Sequence, residues 1–78
     1  MTSSSHDLIF ERERQLVDSI KEALAPVELY MDLIWTFAAL GDCGGVQHAM
    51  SNLLACVRVA DRTNRELTAL RASSGERL

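Results

Sequence analysis

Apolar residues recur through the first half of the chain at the three- and four-residue intervals that characterise one side of an amphipathic helix. From residue 16 to residue 38 the successive steps are four, four, three, four, three and four residues. This spacing is close to a heptad repeat, so it predicts a long first helical arm over residues 7–40. The positions that define this arm are Ile9, Leu16, Ile20, Leu24, Val27, Met31, Ile34 and Ala38.

The second half of the chain shows similar spacing and predicts a second helical arm over residues 46–72. Its steps alternate strictly between four and three residues. No stretch alternates between apolar and polar residues as a half-buried strand would, so the sequence predicts an all-α fold. The positions that define the second arm are Val46, Met50, Leu53, Val57, Ala60, Asn64, Leu67 and Arg71.

A glycine-rich segment separates the two arms and predicts the turn between them. Three of the four glycines lie within residues 41–45, which read Gly-Asp-Cys-Gly-Gly. Gly41 follows the last apolar residue of the first arm, where a helix commonly ends in a left-handed residue. Residues 73–78 carry no apolar pattern and are expected to fray. The sequence therefore predicts a single domain over residues 1–78, folded as an antiparallel helical hairpin.

Pro26 leaves two interpretations of the first arm open. A proline inside a helix removes one hydrogen bond and clashes with the preceding turn, but it is well tolerated in the first turn of a helix. The apolar spacing passes through Pro26 without a change of phase, which favours a continuous, kinked arm. The cost of about 3 kcal/mol for an internal proline favours two helices broken near Ala25.

The charges of the two arms are opposite in sign. Residues 7–40 contain seven acidic and three basic residues, a balance of −4. Residues 46–72 contain four arginines and two acidic residues, a balance of +2. Folding at the glycine turn is expected to place the arginine-bearing end of the second arm beside the acidic start of the first. Exposed pairs contribute only about 0.2–1 kcal/mol each, so they set orientation more than stability.

Residues 27–40 carry more apolar surface than one neighbouring helix covers. Their polar residues Glu28, Asp32 and Thr36 are four apart and form one narrow stripe on a helix. The remaining apolar surface predicts that two hairpins assemble as a four-helix-bundle homodimer, and a helix of a partner protein in the same groove is the other way to cover it. The predicted interface residues are Tyr30, Met31, Ile34, Trp35 and Phe37. The core of each hairpin is expected to consist of Ile20, Leu24, Val27, Ile34, Met50, Leu53 and Val57.

Composition argues against several classes of function. The net charge of −3, without a basic cluster, gives no support for nucleic-acid binding. Two cysteines cannot build a disulfide framework, and Glu28 and Asp32 lack a histidine that would complete a metal motif, so no cofactor or metal is predicted. The apolar stretch of residues 27–40 reaches only about 21 Å, too short for a membrane span. The N-terminal residues lack a secretory pattern, which predicts a cytoplasmic protein.

One local sequence is similar to the phospho-accepting box of sensor histidine kinases. His48, Met50, Asn52 and Leu54 match that box, whereas Ala49, Ser51 and Leu53 replace its acidic residue, its basic residue and its proline. The resemblance implies a histidine-phosphotransfer carrier as an alternative function, with His48 as phospho-acceptor. A solvent-facing histidine near a helix start is the simpler interpretation.

The pattern as a whole predicts a non-enzymatic regulator or adaptor. Such a protein would bind or inhibit a partner protein through an apolar helical surface. Small acidic bacterial or phage regulators and secretion chaperones share this architecture, and a purely structural assembly subunit is a further alternative. Cys43, in the turn, is interpreted as an incidental thiol because no neighbouring cation in sequence would activate it.

Overall fold

The protein is an antiparallel hairpin made of three helices. The computed structural model describes the backbone of residues 5–76 and the side chains of residues 7–73. Helix α1 spans Ser5–Leu24, α2 spans Val27–Ala39 and α3 spans Cys43–Glu76, and no strand occurs within this part of the chain. Helices α1 and α2 follow one another along α3 and both pack against it, in a molecule of 61 × 23 × 12 Å. The predicted all-α hairpin is confirmed.

The first arm is interrupted at Pro26. Because proline has no N–H, the regular helical hydrogen bond from this position is missing. The Ala25 N–H donates to the Glu22 carbonyl at 3.4 Å, and the next regular bond runs from the Tyr30 N–H to the Pro26 carbonyl at 3.1 Å. Pro26 keeps nearly helical angles, with φ −82° and ψ −2°. The arm is therefore two helices, as one of the two interpretations expected, and both segments still lie along α3.

The turn that reverses the chain is fixed by Gly41. This residue has φ +71°, in the left-handed region that other residues adopt at a cost of about 1–2 kcal/mol. Its N–H donates to the Ala38 carbonyl at 3.0 Å, and the Asp42 N–H donates to the Phe37 carbonyl at 2.9 Å. These two bonds form a Schellman motif, which satisfies carbonyls at the end of α2. The predicted left-handed glycine is confirmed.

Asp42 starts the second arm immediately after the turn. Its Oδ1 accepts a hydrogen bond of 2.9 Å from the Gly45 N–H, the usual interaction of an N-cap residue with the third residue of its helix. Helix α3 consequently begins at Cys43, and the predicted turn over residues 41–45 is too long. At its other end α3 continues to Glu76, so most of the predicted frayed tail is helical. Residues 77 and 78 lie outside the described residues.

The contact between the arms is formed by one row of side chains from each. The buried side chains are Leu16 from α1 and Ala49, Ala60 and Leu67 from α3. Half-buried residues continue both rows at alternating steps of three and four, as the heptad pattern of packed helices requires. In the first arm these are Ile9, Glu13, Ile20, Ala23, Val27, Tyr30, Ile34 and Phe37, and in the second Leu53, Cys56, Thr63 and Leu70.

At three positions of the expected core, the residue that faces inward is the one before the expected residue. Ile20, Val27, Ile34 and Leu53 are half-buried, in agreement with the expectation. The remaining expected core residues, Leu24, Met50 and Val57, are 42%, 46% and 40% exposed, so this part of the prediction is wrong. The preceding residues Ala23, Ala49 and Cys56 take their places. Small side chains fit here because they let two helices pack at short interaxial distance.

Two ion pairs join the open ends of the arms. Arg71 Nε lies 3.1 Å from Glu13 Oε2, and Arg12 Nη2 lies 3.1 Å from Glu66 Oε2. The expected approach of the second arm's arginines to the acidic start of the first arm is confirmed. Because three of the four side chains are at least half exposed, each pair stabilises the fold by no more than about 1 kcal/mol.

Two adjacent glycines of α3 give a matched test of the turn. A Cβ on Gly45 would lie 2.6 Å from Cγ of Phe37, whereas a Cβ on Gly44 would meet only Asp42 Oδ1, at 3.6 Å. We expect Gly45→Ala to be less stable than Gly44→Ala by about 1–3 kcal/mol, since overpacking displaces the Phe37 ring. Gly44→Ala should be neutral or up to about 1 kcal/mol more stable than the parent, because alanine favours helix. Urea unfolding monitored by circular dichroism measures both, and equal stability of the two variants would contradict this packing.

Candidate protein-binding face

A groove beside the turn shows which residues of the two arms share a side of the hairpin. It has a volume of about 540 Å³ and is lined by Ala38 from α2 and by Val46, Met50 and Leu54 from α3, among others. A second, smaller groove adjoins it and is lined by Trp35, Ala38 and Ala39. Ala38 belongs to both grooves, so Trp35 lies on the same side of the hairpin as Met50 and Leu54.

Helical spacing extends this surface away from the turn. Residues seven apart lie on the same side of a helix, which places Met31 and Leu24 in line with Ala38, and Val57 in line with Met50. We call this surface the apolar face and define it by its six large exposed residues. They are Leu24, Met31, Trp35, Met50, Leu54 and Val57, whose exposed fractions range from 40% to 80%.

The six residues of the apolar face lie in the half of the hairpin that is nearer the turn, but only on the second arm does the apolar row end there. On the second arm, the positions seven and fourteen residues beyond Val57 are Asn64 and Arg71, which are both polar. Arg71 is also paired with Glu13, so the surface beyond Val57 is charged. On the first arm the apolar row continues through Val17 to Phe10, which is 65% exposed.

The opposite side of the hairpin is more mixed. A shallow groove there is lined by Ala23, Pro26, Ala55, Cys56 and Val59, together with the carboxylate-bearing Glu22. Leu29, which is 59% exposed, lies seven residues from Glu22 and therefore on this side. His48 lies seven residues before Ala55 and is also exposed on this side. Val59 is 48% exposed here, and Leu40, fourteen residues beyond Pro26, is 74% exposed, so the turn-proximal half of this side has three large exposed apolar residues against six on the apolar face.

The five predicted interface residues divide between two environments. Met31 and Trp35 belong to the apolar face and are 58% and 80% exposed. Tyr30, Ile34 and Phe37 occupy the row that packs toward α3 and are half-buried. The ring of Phe37 lies against Gly45. The structure therefore groups two of the five residues on one exposed surface, and their role in an interface stays a prediction.

The predicted interface does not include four residues of the apolar face. The sequence pattern predicts Leu24, Met50 and Val57 in the hairpin core and assigns Leu54 to neither surface. One signal was available, because Met50, Leu54 and Val57 follow the four-and-three spacing of a second apolar row on α3. A second row beside a first one widens the apolar side of a helix beyond what one neighbour covers.

The polar and sulfur-containing groups form no evident reaction centre in the described part of the chain. No group of three or more histidine, cysteine, aspartate or glutamate residues there could hold a metal ion. Cys43 is exposed at the start of α3 and Cys56 is half-buried between the arms, and both are free thiols. Among the described helices, none is long and apolar enough to cross a membrane.

The accessible surface of the hairpin is large for its mass. The chain of 8.7 kDa exposes 6093 Å². A compact monomer of the same mass exposes about 4,700 Å² by the usual surface-to-mass relation. The hairpin is two helices wide and one helix thick, so both of its faces meet solvent.

Comparison with known proteins gives no family assignment. The sequence matches no protein-family model, and no curated protein or solved structure is significantly similar to it.

Two aromatic residues of α2 test the division between face and core. Trp35→Ala should leave the unfolding free energy of a single hairpin nearly unchanged, because the side chain is 80% exposed. Tyr30→Ala should lower it by about 1–3 kcal/mol, because Tyr30 lies half-buried in the row that packs toward α3. Urea unfolding at low protein concentration measures both values. A larger loss for Trp35→Ala than for Tyr30→Ala would contradict the register described above.

Proposed function

We propose that this protein is a small non-enzymatic regulator or adaptor that binds partner proteins through its apolar face. The observation that carries the proposal is the grouping of six large apolar side chains on one side of the turn-proximal half. Contiguous apolar patches larger than a few hundred Å² are rare on monomeric proteins and mark sites of association. A cytoplasmic location is part of the proposal and is supported by the two free thiols, Cys43 and Cys56.

The composition of the apolar face suits protein binding. Tryptophan and methionine are enriched in the centres of protein interfaces, and the face contains Trp35, Met31 and Met50. A large aromatic residue such as Trp35 commonly contributes more than 2 kcal/mol to such an interface. Methionine side chains are flexible and adapt to different partner surfaces. Trp35 can therefore act as the anchor of an interface, while Met31 and Met50 adapt to the surface of the partner.

The shape of the apolar face favours helices as its ligands. Two antiparallel helices, α2 and the first half of α3, form its sides, and the groove lined by Ala38, Met50 and Leu54 runs between them. An amphipathic helix can place residues spaced three, four and seven apart into such a groove. A regulator of this kind would act by covering a helical dimerisation or docking surface of its partner.

The polar groups favour binding over catalysis. The salt bridges of the described residues lie on the surface, and the groove that Arg12 and Glu66 border is otherwise lined by Leu16, Ala69 and Leu70, with no histidine or cysteine. His48 is exposed on the side opposite the apolar face. His48 therefore lies away from the surface on which the proposed function depends.

A pair of substitutions on α2 tests the proposed function. Met31 and Leu29 are 58% and 59% exposed but lie on opposite sides of the hairpin. We expect tagged Met31→Glu to lose the partner proteins that co-purify with the wild type from its host, as identified by mass spectrometry. Tagged Leu29→Glu and His48→Gln should retain them. Circular dichroism establishes that all four proteins are folded.

Two results would count against the proposal. If Met31→Glu retains the same partners as the wild type, the apolar face is not the binding surface. If His48→Gln loses the partners while Met31→Glu retains them, the result supports the phosphotransfer interpretation and contradicts binding through the apolar face. Acid-labile phosphate on His48 in cells would have the same meaning.

A further inference from the structure

We infer that, in the free protein, the apolar face is covered by the apolar face of a second copy of this chain. The two hairpins pack face to face, with their turns at the same end. In this arrangement the first arm of each copy lies over the second arm of the other. The inference rests on the proposed function, because it names the first occupant of the same face. Since the face accommodates one layer of helices, the second copy and a partner protein would compete for it.

The exposed area is sufficient for a stable dimer. Each broad side of the hairpin is 61 Å long and 23 Å wide. A standard stable interface removes about 800 Å² from each partner. A second hairpin laid on the apolar face can therefore remove an area of this size without any change in fold.

The register of the arms determines which residues would meet. Glu13 pairs with Arg71, and Phe37 lies against Gly45, so residue numbers at the same height along the hairpin add up to about 82–84. With the turns at the same end, Leu24 of one copy would lie over Val57 of the second copy. Met31 would lie over Met50 of the second copy in the same way. The two turn-proximal halves would then cover each other.

The opposite orientation would pair apolar with polar surface. If the hairpins overlapped along their full length with turns at opposite ends, each second arm would lie over the second arm of the other copy. Because α3 spans Cys43–Glu76, Met50 would then lie level with residue 69 of the second copy, near its Thr68 and Arg71. Leu54 would lie level with residue 65 of the second copy, near its Asn64. Burying an apolar side chain against a guanidinium or an amide removes the hydration of the polar group, which is unfavourable. The distribution of apolar residues along α3 therefore favours the turns at the same end.

One pair of charges beside the apolar face favours the same orientation. The row that passes through Trp35 carries Glu28, Lys21 and Arg14 toward the open end, and the row that passes through Leu54 carries Asp61. With the turns at the same end, Lys21 would lie near Asp61 of the second copy, which is electrostatically complementary.

Distances between spin labels at two positions of α3 distinguish the orientations. Cys43 is an exposed native thiol at the turn, and Cys56→Ala leaves it as the only thiol of the chain. The second site is Thr68→Cys near the open end, in a chain that also carries Cys43→Ser and Cys56→Ala. The two sites are 25 residues apart, or about 38 Å along the helix. Circular dichroism and sedimentation verify that each labelled chain is folded and has twice the 8.7 kDa mass.

With the turns at the same end, both label distances should be below about 30 Å, since helices of a bundle lie about 8–10 Å apart. With the turns at opposite ends, the axial components of the two distances add up to about 76 Å, so at least one distance must exceed about 35 Å. A distance of that length at either site would overturn the inferred orientation and leave the proposed function intact. A wild-type protein that stays monomeric at the labelling concentration would overturn the dimer itself.

The α2 pair separates failure of this inference from failure of the proposed function. Met31→Glu should abolish the dipolar signal and return the mass to that of one chain, while Leu29→Glu should preserve both. If Leu29→Glu dissociates the dimer and Met31→Glu does not, the copies meet through the other side of the hairpin. That result would overturn the inference and leave the apolar face free, so the proposed function would still be decided by whether Met31→Glu loses the co-purifying partners.

Discussion

Each arm of the hairpin has the other arm as its single neighbour, and this limit determines the surface of the protein. One neighbour covers a sector of roughly 100°, which is enough for one row of side chains at three- and four-residue steps. The rows that meet contain Leu16 from the first arm and Ala49, Ala60 and Leu67 from the second. The adjacent apolar row has no neighbour within the chain. It becomes the apolar face, and the proposed association follows from it.

The choice of which row faces inward depends on a few local interactions at the ends of the hairpin. Gly41 reverses the chain in a left-handed conformation, and Asp42 caps α3 at once, so no loop remains to adjust the register. Phe37 then packs against Gly45, where a side chain would not fit. At the open end the ion pair between Glu13 and Arg71 is consistent with the same register. Short turns and specific contacts thus align the arms even though the buried core is small.

The fold was predictable because its signals are local. Helical spacing, the glycine cluster and the opposite charges of the arms each depend on neighbouring residues, and the all-α hairpin, the left-handed Gly41 and the approach of the charged ends agree with the structure. The interruption at Pro26 was one of two open alternatives, because the cost of an internal proline and the continuous apolar phase point in different directions. Only tertiary packing decides between them.

The division between core and face was not predictable from hydrophobicity. Ala23 and Leu24, Ala49 and Met50, and Cys56 and Val57 are adjacent pairs in which both residues are apolar. Hydrophobicity favours the larger residue of each pair for the core. The structure instead places the smaller residue inside, where it permits close packing of the arms. The larger residue is left exposed. A chain that keeps its small residues inside and its large ones outside is well suited to bury the large ones against another protein.

The central claim is that the exposed row is covered by association, and Trp35 reports on it directly. Trp35 is the only tryptophan of the chain and is 80% exposed in the single hairpin. Its fluorescence emission should shift to shorter wavelength as the protein concentration rises, with the same midpoint as the doubling of mass observed by sedimentation. An emission spectrum characteristic of a water-exposed indole in a sample whose mass has already doubled would contradict the account.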